Sequence, residues 1–196
     1  MKTRKGALTR YWWVYVVDAL VVILVFVTVF RTIMMPKKEE RLAFFITTES
    51  ASWKKGEELV KNPPEGIKKF EYRLSSKNSS YHSTLLESYG YEISDVLILP
   101  GTGTNQELSS YHFAPISPRY VETLGSLGVL RYDEKAYGIK VYDANTKTNL
   151  LSDLSFPLED MYLFFNKNSV QLGDLSQAKA GEEGRAVTMA KRLLQQ

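Results

Sequence analysis

Cysteine is absent from the 196 residues, histidine occurs twice, and acidic and basic side chains are nearly balanced, 22 against 25. The lack of cysteine removes disulfide frameworks, thiolate nucleophiles, Cys-ligated zinc and iron-sulfur sites, and a lipid-modified cysteine anchor. With only His82 and His112 available, a Ser-His-Asp triad or a two-His metal site would have to use one or both. Neither sits in a supporting motif. There is no G-x-S-x-G elbow, no H-E-x-x-H and no G-x-x-x-x-G-K-[ST] phosphate loop. The expectation is a protein without catalytic activity, metal or cofactor.

The nominal charge of +3 is unevenly placed, since residues 1 to 36 carry five basic side chains and one acidic one. The remainder, about 160 residues, is close to neutral and of a length for one domain. A basic excess confined to the N-terminal flank gives no footprint for nucleic acid.

What the sequence does have is a long apolar run. Between Tyr11 and Met35 the charged residues are Asp18 and Arg31, and from Ala19 to Phe30 the one non-apolar residue is Thr28. A bilayer core needs about 20 apolar residues in a helix. Tyr11, Trp12, Trp13 and Tyr15 cluster at one end, next to Lys2, Arg4, Lys5 and Arg10. Aromatic rings suit the headgroup region, and the basic flank predicts a cytoplasmic N-terminus. A cleaved signal peptide would have a shorter core and a small-x-small site, and none is legible before Pro36. The expectation is therefore a plasma-membrane protein with a cytoplasmic tail (1–10), a signal-anchor helix (11–35), a charged stalk (36–41) and an extracellular domain (42–196). Asp18 has two readings: a contact with a partner membrane helix, or a side chain that reaches the interface and pairs locally.

The domain reads as α/β. Leu42 to Ile46 is a continuous apolar run of strand length, and Thr47 to Ser50 supplies caps for a helix over Ala51 to Val60. A more exposed strand follows over Ile67 to Leu74, and then a helix to Tyr89 closed by Gly90. Asp95 to Pro100 is the clearest buried strand. Strands separated by helices predict a single three-layer domain with a mostly parallel sheet. Later elements are a helix at Pro118 to Leu127, strands at Ala136 to Tyr142 and Met161 to Phe165, and a last helix over Gly181 to Gln195.

Gly101-Thr102-Gly103-Thr104-Asn105 follows the buried strand. In open α/β sheets ligands bind beyond the carboxyl ends of strands, and such a turn can present backbone N–H groups and hydroxyls. A turn after a strand also uses these residues for its own geometry. Thr102, Gly103, Thr104 and Asn105, with Tyr111 and His112 nearby, are the candidate ligand or partner residues.

The segments Ser94 to Pro100, Phe113-Ala114-Pro115-Ile116, Leu124 to Leu130, Tyr137-Gly138-Ile139-Lys140-Val141 and Met161 to Val170 share an order with a known family. The domain resembles one lobe of a type II periplasmic (extracellular solute) binding protein, with Met161 to Val170 similar to its return strand. The resemblance implies an anchored domain beside a membrane partner such as an ABC-type transporter. Only Asp143 to Asp160 separates the strand near Val141 from the return strand, which leaves no room for a second lobe. Solute capture by closure of two lobes is not implied. The expectation is an accessory or interaction subunit; the alternative is a membrane-anchored ligand sensor or weak solute-binding module.

Overall fold

A computed structural model describes residues 12–34, 36–101, 110–177 and 181–195. The chain divides into two units, Met1–Lys37 and Lys38–Gln196.

In the first unit the apolar run forms one helix, α1 (Trp12–Met34). Its 23 residues span about 35 Å at 1.5 Å per residue, more than the roughly 30 Å of a bilayer core. Trp12 to Phe30 has a mean hydropathy of 2.6 and keeps its side chains exposed, as suits a membrane anchor or a signal sequence. The Thr28 hydroxyl donates to the Leu24 carbonyl at 2.7 Å, so this polar group is satisfied within the helix.

The second unit begins with a 3-10 turn, Lys38–Glu40, leading into β1 (Arg41–Thr47). The elements that follow are α2 (Lys54–Lys61), β2 (Lys69–Ser75), α3 (His82–Leu85) running into a π-helical segment (Leu86–Tyr91), and β3 (Val96–Pro100). Then come α4 (Pro118–Leu124), β4 (Val129–Tyr132), β5 (Lys135–Asp143), β6 (Thr148–Asn149), β7 (Met161–Phe165) and α5 (Arg185–Leu194). Residues 38–41, expected as part of a stalk, are tied into the domain. Gln171 Nε2 donates to the carbonyls of Lys38 and Arg41, and the Lys68 amide donates to that of Glu40.

The seven strands form one open sheet in the order β2-β1-β3-β7-β5-β4, with β6 also on β5. The sheet is mixed. β1 runs parallel to β2 and β3, as the strand-helix-strand spacing predicts. β7 is antiparallel to both its neighbours, β3 and β5, and β4 and β6 are antiparallel to β5. β5 therefore points the same way as β1 to β3, while β4, β6 and β7 oppose them. For β4 and β6 the departure from parallel pairing has a local cause: short connections join β4 to β5 and β5 to β6, and these can make hairpins but not crossovers.

Side chains alternate across β1 and β3 into two apolar clusters. Leu42, Phe44, Ile46, Val96 and Ile98 join Trp53 and residues of α4 and α5 on one face. Phe45, Leu97 and Leu99 join Phe113, Tyr137, Tyr162 and Phe164 on the other, with Leu86, Tyr89 and Tyr91 of the π-helical segment against them. Burial on both faces is why these strands read as continuous apolar runs. Gly90, expected just past a helix end, lies buried inside the π-helical segment, facing Leu97 and Phe45 of the sheet.

Candidate functional site

Because β1 is followed by β2 on one side and has β3 on the other, their carboxyl ends flank a topological switch point. Ligands in open α/β sheets bind at such a point. Four of the sequence-predicted residues there, Thr102, Gly103, Thr104 and Asn105, lie outside the described residues. Gly101, just before them, donates its amide to the Asp160 carbonyl at 3.0 Å. Its lack of a side chain is required, since a Cβ would meet the Tyr162 ring at 2.3 Å.

Around this edge the described polar groups mostly satisfy one another. Lys140, on β5, pairs with Asp160 at 2.6 Å and Asp143 at 3.3 Å, and lies 5.7 Å from the centre of the Tyr162 ring. The hydrogen bond to Asp160 holds the Lys140 ammonium above its usual range, and burial raises the Tyr162 phenol. Asp143 caps its own turn, accepting from the amides of Asn145 and Thr146, and these bonds lower its carboxyl, the one from Thr146 most. Lys77 pairs with Glu159 at 2.8 Å, and Ser76 donates to both carboxylate oxygens of Glu49 at 3.1 Å.

On the same edge Ser75 Oγ and His82 Nδ1 are 2.9 Å apart, and the His82 ring lies against Phe45. Burial, helped by the Lys77 charge, lowers the His82 pKa and so favours the neutral imidazole. A serine beside a neutral histidine has the first two parts of a nucleophile and base. The orienting third part is missing: no carboxylate bonds the other ring nitrogen among the described residues, and Ser75 is itself buried. The pair acts as a polar clasp between the end of β2 and α3. Thr47, its neighbour across β1 and β2, is fully buried with its hydroxyl unpartnered.

Tyr111 and His112 sit together in a helical turn. The His112 ring stacks on Tyr91 with centroids 4.0 Å apart and planes 12° from parallel, and burial lowers its pKa. It behaves as an aromatic packing residue. Tyr111 is different: 78% exposed, it is the more available contact. Asp18 belongs to α1 and to the other unit, where it is exposed.

At the opposite, amino edge, Asp95 accepts hydrogen bonds from the Ala43 amide at 2.8 Å and the Ser169 hydroxyl at 2.6 Å. Burial raises its pKa against these bonds and the Arg41 charge. Asn166 donates to the carbonyls of Tyr91 and Ser94, so this cluster closes on itself as a pin. No group of three or more His, Cys, Asp or Glu placed to hold a metal occurs among the described residues.

Sequence reasoning missed Lys140, Asp160 and Tyr162. The signal present was a lysine inside the apolar strand Tyr137 to Tyr142, which needs a nearby carboxylate to be tolerated. Comparisons with protein-family models, curated proteins and solved structures give no match for the chain.

Proposed function

We propose that the chain is a single-pass membrane protein, N-terminus cytoplasmic, whose extracellular three-layer α/β domain resembles one lobe of a type II solute-binding protein. It acts as an accessory or interaction subunit beside a membrane partner such as an ABC-type transporter. The observation that supports interaction over solute capture is the self-pairing of the carboxyl edge. Lys140 with Asp160 and Asp143, Lys77 with Glu159, and Ser75 with His82 bond one another rather than standing open to a ligand. The lobe resemblance is supported by the placement of the return strand: β7 inserts between β3 and β5 after the short excursion 144–160. The anchor is supported by the length and apolarity of α1 and by the basic flank before it.

The ligand-sensor alternative separates by thermal stability. A solute bound at a hundred times its dissociation constant stabilises the native state enough to raise Tm by about 5–10 °C for a chain of this size. The full chain in nanodiscs, screened against amino acids, sugars, short peptides and inorganic anions, is expected to show no such shift. A saturable rise with any one of them favours the sensor and contradicts the interaction subunit.

A further inference from the structure

The sheet ends in two edge strands, β2 and β4. β4 is blunted against pairing, being four residues long with a register shift against β5 at Leu130 and Arg131. β2 has neither defence. Its seven residues lie in unbroken register with β1, from Lys69 opposite Arg41 to Ser75 opposite Thr47, and include no proline. The Thr48 amide donates to the Ser75 carbonyl at 3.0 Å, whereas the Ala43 amide and carbonyl turn away from β2 to Asp95. With that alternation Lys69, Glu71, Arg73 and Ser75 bond toward β1, and Phe70, Tyr72 and Leu74 point their amides and carbonyls outward. No backbone hydrogen bond reaches these outward groups among the described residues.

The side chains along this edge complement themselves under a two-fold axis. A second β2 laid antiparallel, with Tyr72 opposite Tyr72, sets Phe70 opposite Leu74 and Glu71 opposite Arg73 on both sides of the axis. The outward groups then make the hydrogen-bonded pairs, with about six backbone bonds between the strands. Glu71 and Arg73 fall in the non-hydrogen-bonded pairs, where Cα atoms stand about 4.5 Å apart and side chains lie closest. A shift of two residues in either direction sets Glu71 against Glu71 or Arg73 against Arg73, so charge selects one register. Arg73 is exposed, lies 5.6 Å from the centre of the Tyr89 ring and makes no salt bridge among the described residues. Glu71 holds Lys69 at 2.9 Å and, as a carboxylate, keeps acceptor sites for a second cation.

We propose that two copies of the chain pair through their β2 edges in this antiparallel register. One sheet then runs across the two-fold axis, with Glu71 of each copy paired to Arg73 of the other. The interface is isologous and closes after two copies, and the short, bulged β4 edges left at the ends do not extend the sheet. Pairing with a second copy goes beyond the accessory-subunit reading and does not depend on it.

The test uses full-length chains carrying a donor or an acceptor dye at the amino terminus, mixed in lipid vesicles, with energy transfer followed as the protein-to-lipid ratio rises. Wild type is expected to give saturable transfer. Glu71→Arg and Arg73→Glu should each weaken association about tenfold, because symmetry makes each substitution turn two attractive pairs repulsive. Neutral Arg73→Gln, at an exposed position, should give an intermediate loss. Transfer returns in the double variant Glu71→Arg, Arg73→Glu and in an equimolar mixture of the two charge-reversed single variants, whose charges complement each other. Hydrogen exchange on the same samples should protect the amides of Phe70, Tyr72 and Leu74 in wild type and the double variant and open them in the single variants. The β3 amides from Val96 to Leu99 stay protected throughout and report an intact fold. No transfer in wild type, equal transfer in every variant, or a single-variant loss that neither the double variant nor the mixture restores overturns the proposal. So does protection of the Phe70, Tyr72 and Leu74 amides that is independent of the protein-to-lipid ratio, because the edge is then covered from within the chain.

Discussion

Asp95 and Asp174 are both withdrawn from water, and their acidities shift in opposite directions, because burial outweighs the hydrogen bonds at Asp95 and the hydrogen bonds outweigh burial at Asp174. Asp174 takes hydrogen bonds from the Tyr120 hydroxyl, from the Gly181 amide at 2.5 Å and from Arg119 at 2.5 Å. These bonds, led by the one from Tyr120, hold its carboxyl well below the ordinary aspartate range. Its stabilising contribution is present above the unfolded-state value of about 4 and is lost as pH falls from there toward the folded value. Asp95 has the opposite sign. Its pKa is raised by burial, so its contribution is fully present below about 4 and is lost as pH rises through the folded value. Urea unfolding of Asp174→Asn between pH 6 and pH 2.5 should therefore show a lower midpoint than wild type at pH 6 and a flatter decline below pH 4. Parallel wild-type and variant profiles would show that Asp174 is not the group that titrates. For Asp95→Asn, the gap below wild type should widen as pH falls toward 4.

At the scale of elements, α2 shows packing overriding propensity. Gly56 lies in its interior, where alanine is favoured by about 1 kcal/mol. A Cβ at that position would meet the Trp53 ring at 2.3 Å and Tyr72 at 2.9 Å. Trp53 is fully buried against Phe44, Phe70 and Tyr72 and has little room to give. Overpacking of this kind costs about 1–3 kcal/mol, so after the propensity gain Gly56→Ala should lower stability by up to about 2 kcal/mol in chemical denaturation. A stabilised variant would mean that the Trp53 ring moves freely.

Elements whose burial is two-sided or amphipathic were legible in the sequence. Leu42 to Ile46, Val96 to Pro100 and Met161 to Phe165 are strands within a residue or two of where their apolar runs place them, and α4 starts at Pro118, where a proline suits a first turn. β4 was not legible, because Val129 to Tyr132 is short, half exposed, and followed by a turn at Asp133 and Glu134 without glycine or asparagine. The antiparallel insertion of β7 was also hidden, since pairing direction is set by tertiary connection and leaves no local pattern. Of the candidate residues, Tyr111 is exposed and His112 is stacked on Tyr91. The Lys140 cluster was missed because its partner Asp160 is twenty residues away, across a hairpin.

For the molecule as a whole, the division of charge and apolarity is the organising feature. The apolar helix and the basic excess belong to the first unit, and the second is near neutral with its strands buried on both faces. A near-neutral domain gains little from long-range steering, and on the proposed reading exposed Tyr111 is a surface that a partner meets. The absence of cysteine makes the decisive measurement direct, because Tyr111→Cys introduces one unique thiol at an exposed position. In intact cells, a membrane-impermeant maleimide carrying a photocrosslinker should label this thiol from outside and, on illumination, shift the chain into an adduct with one defined second membrane protein. A thiol that reacts only after permeabilisation, or a labelled chain that remains monomeric, would contradict an extracellular interaction subunit.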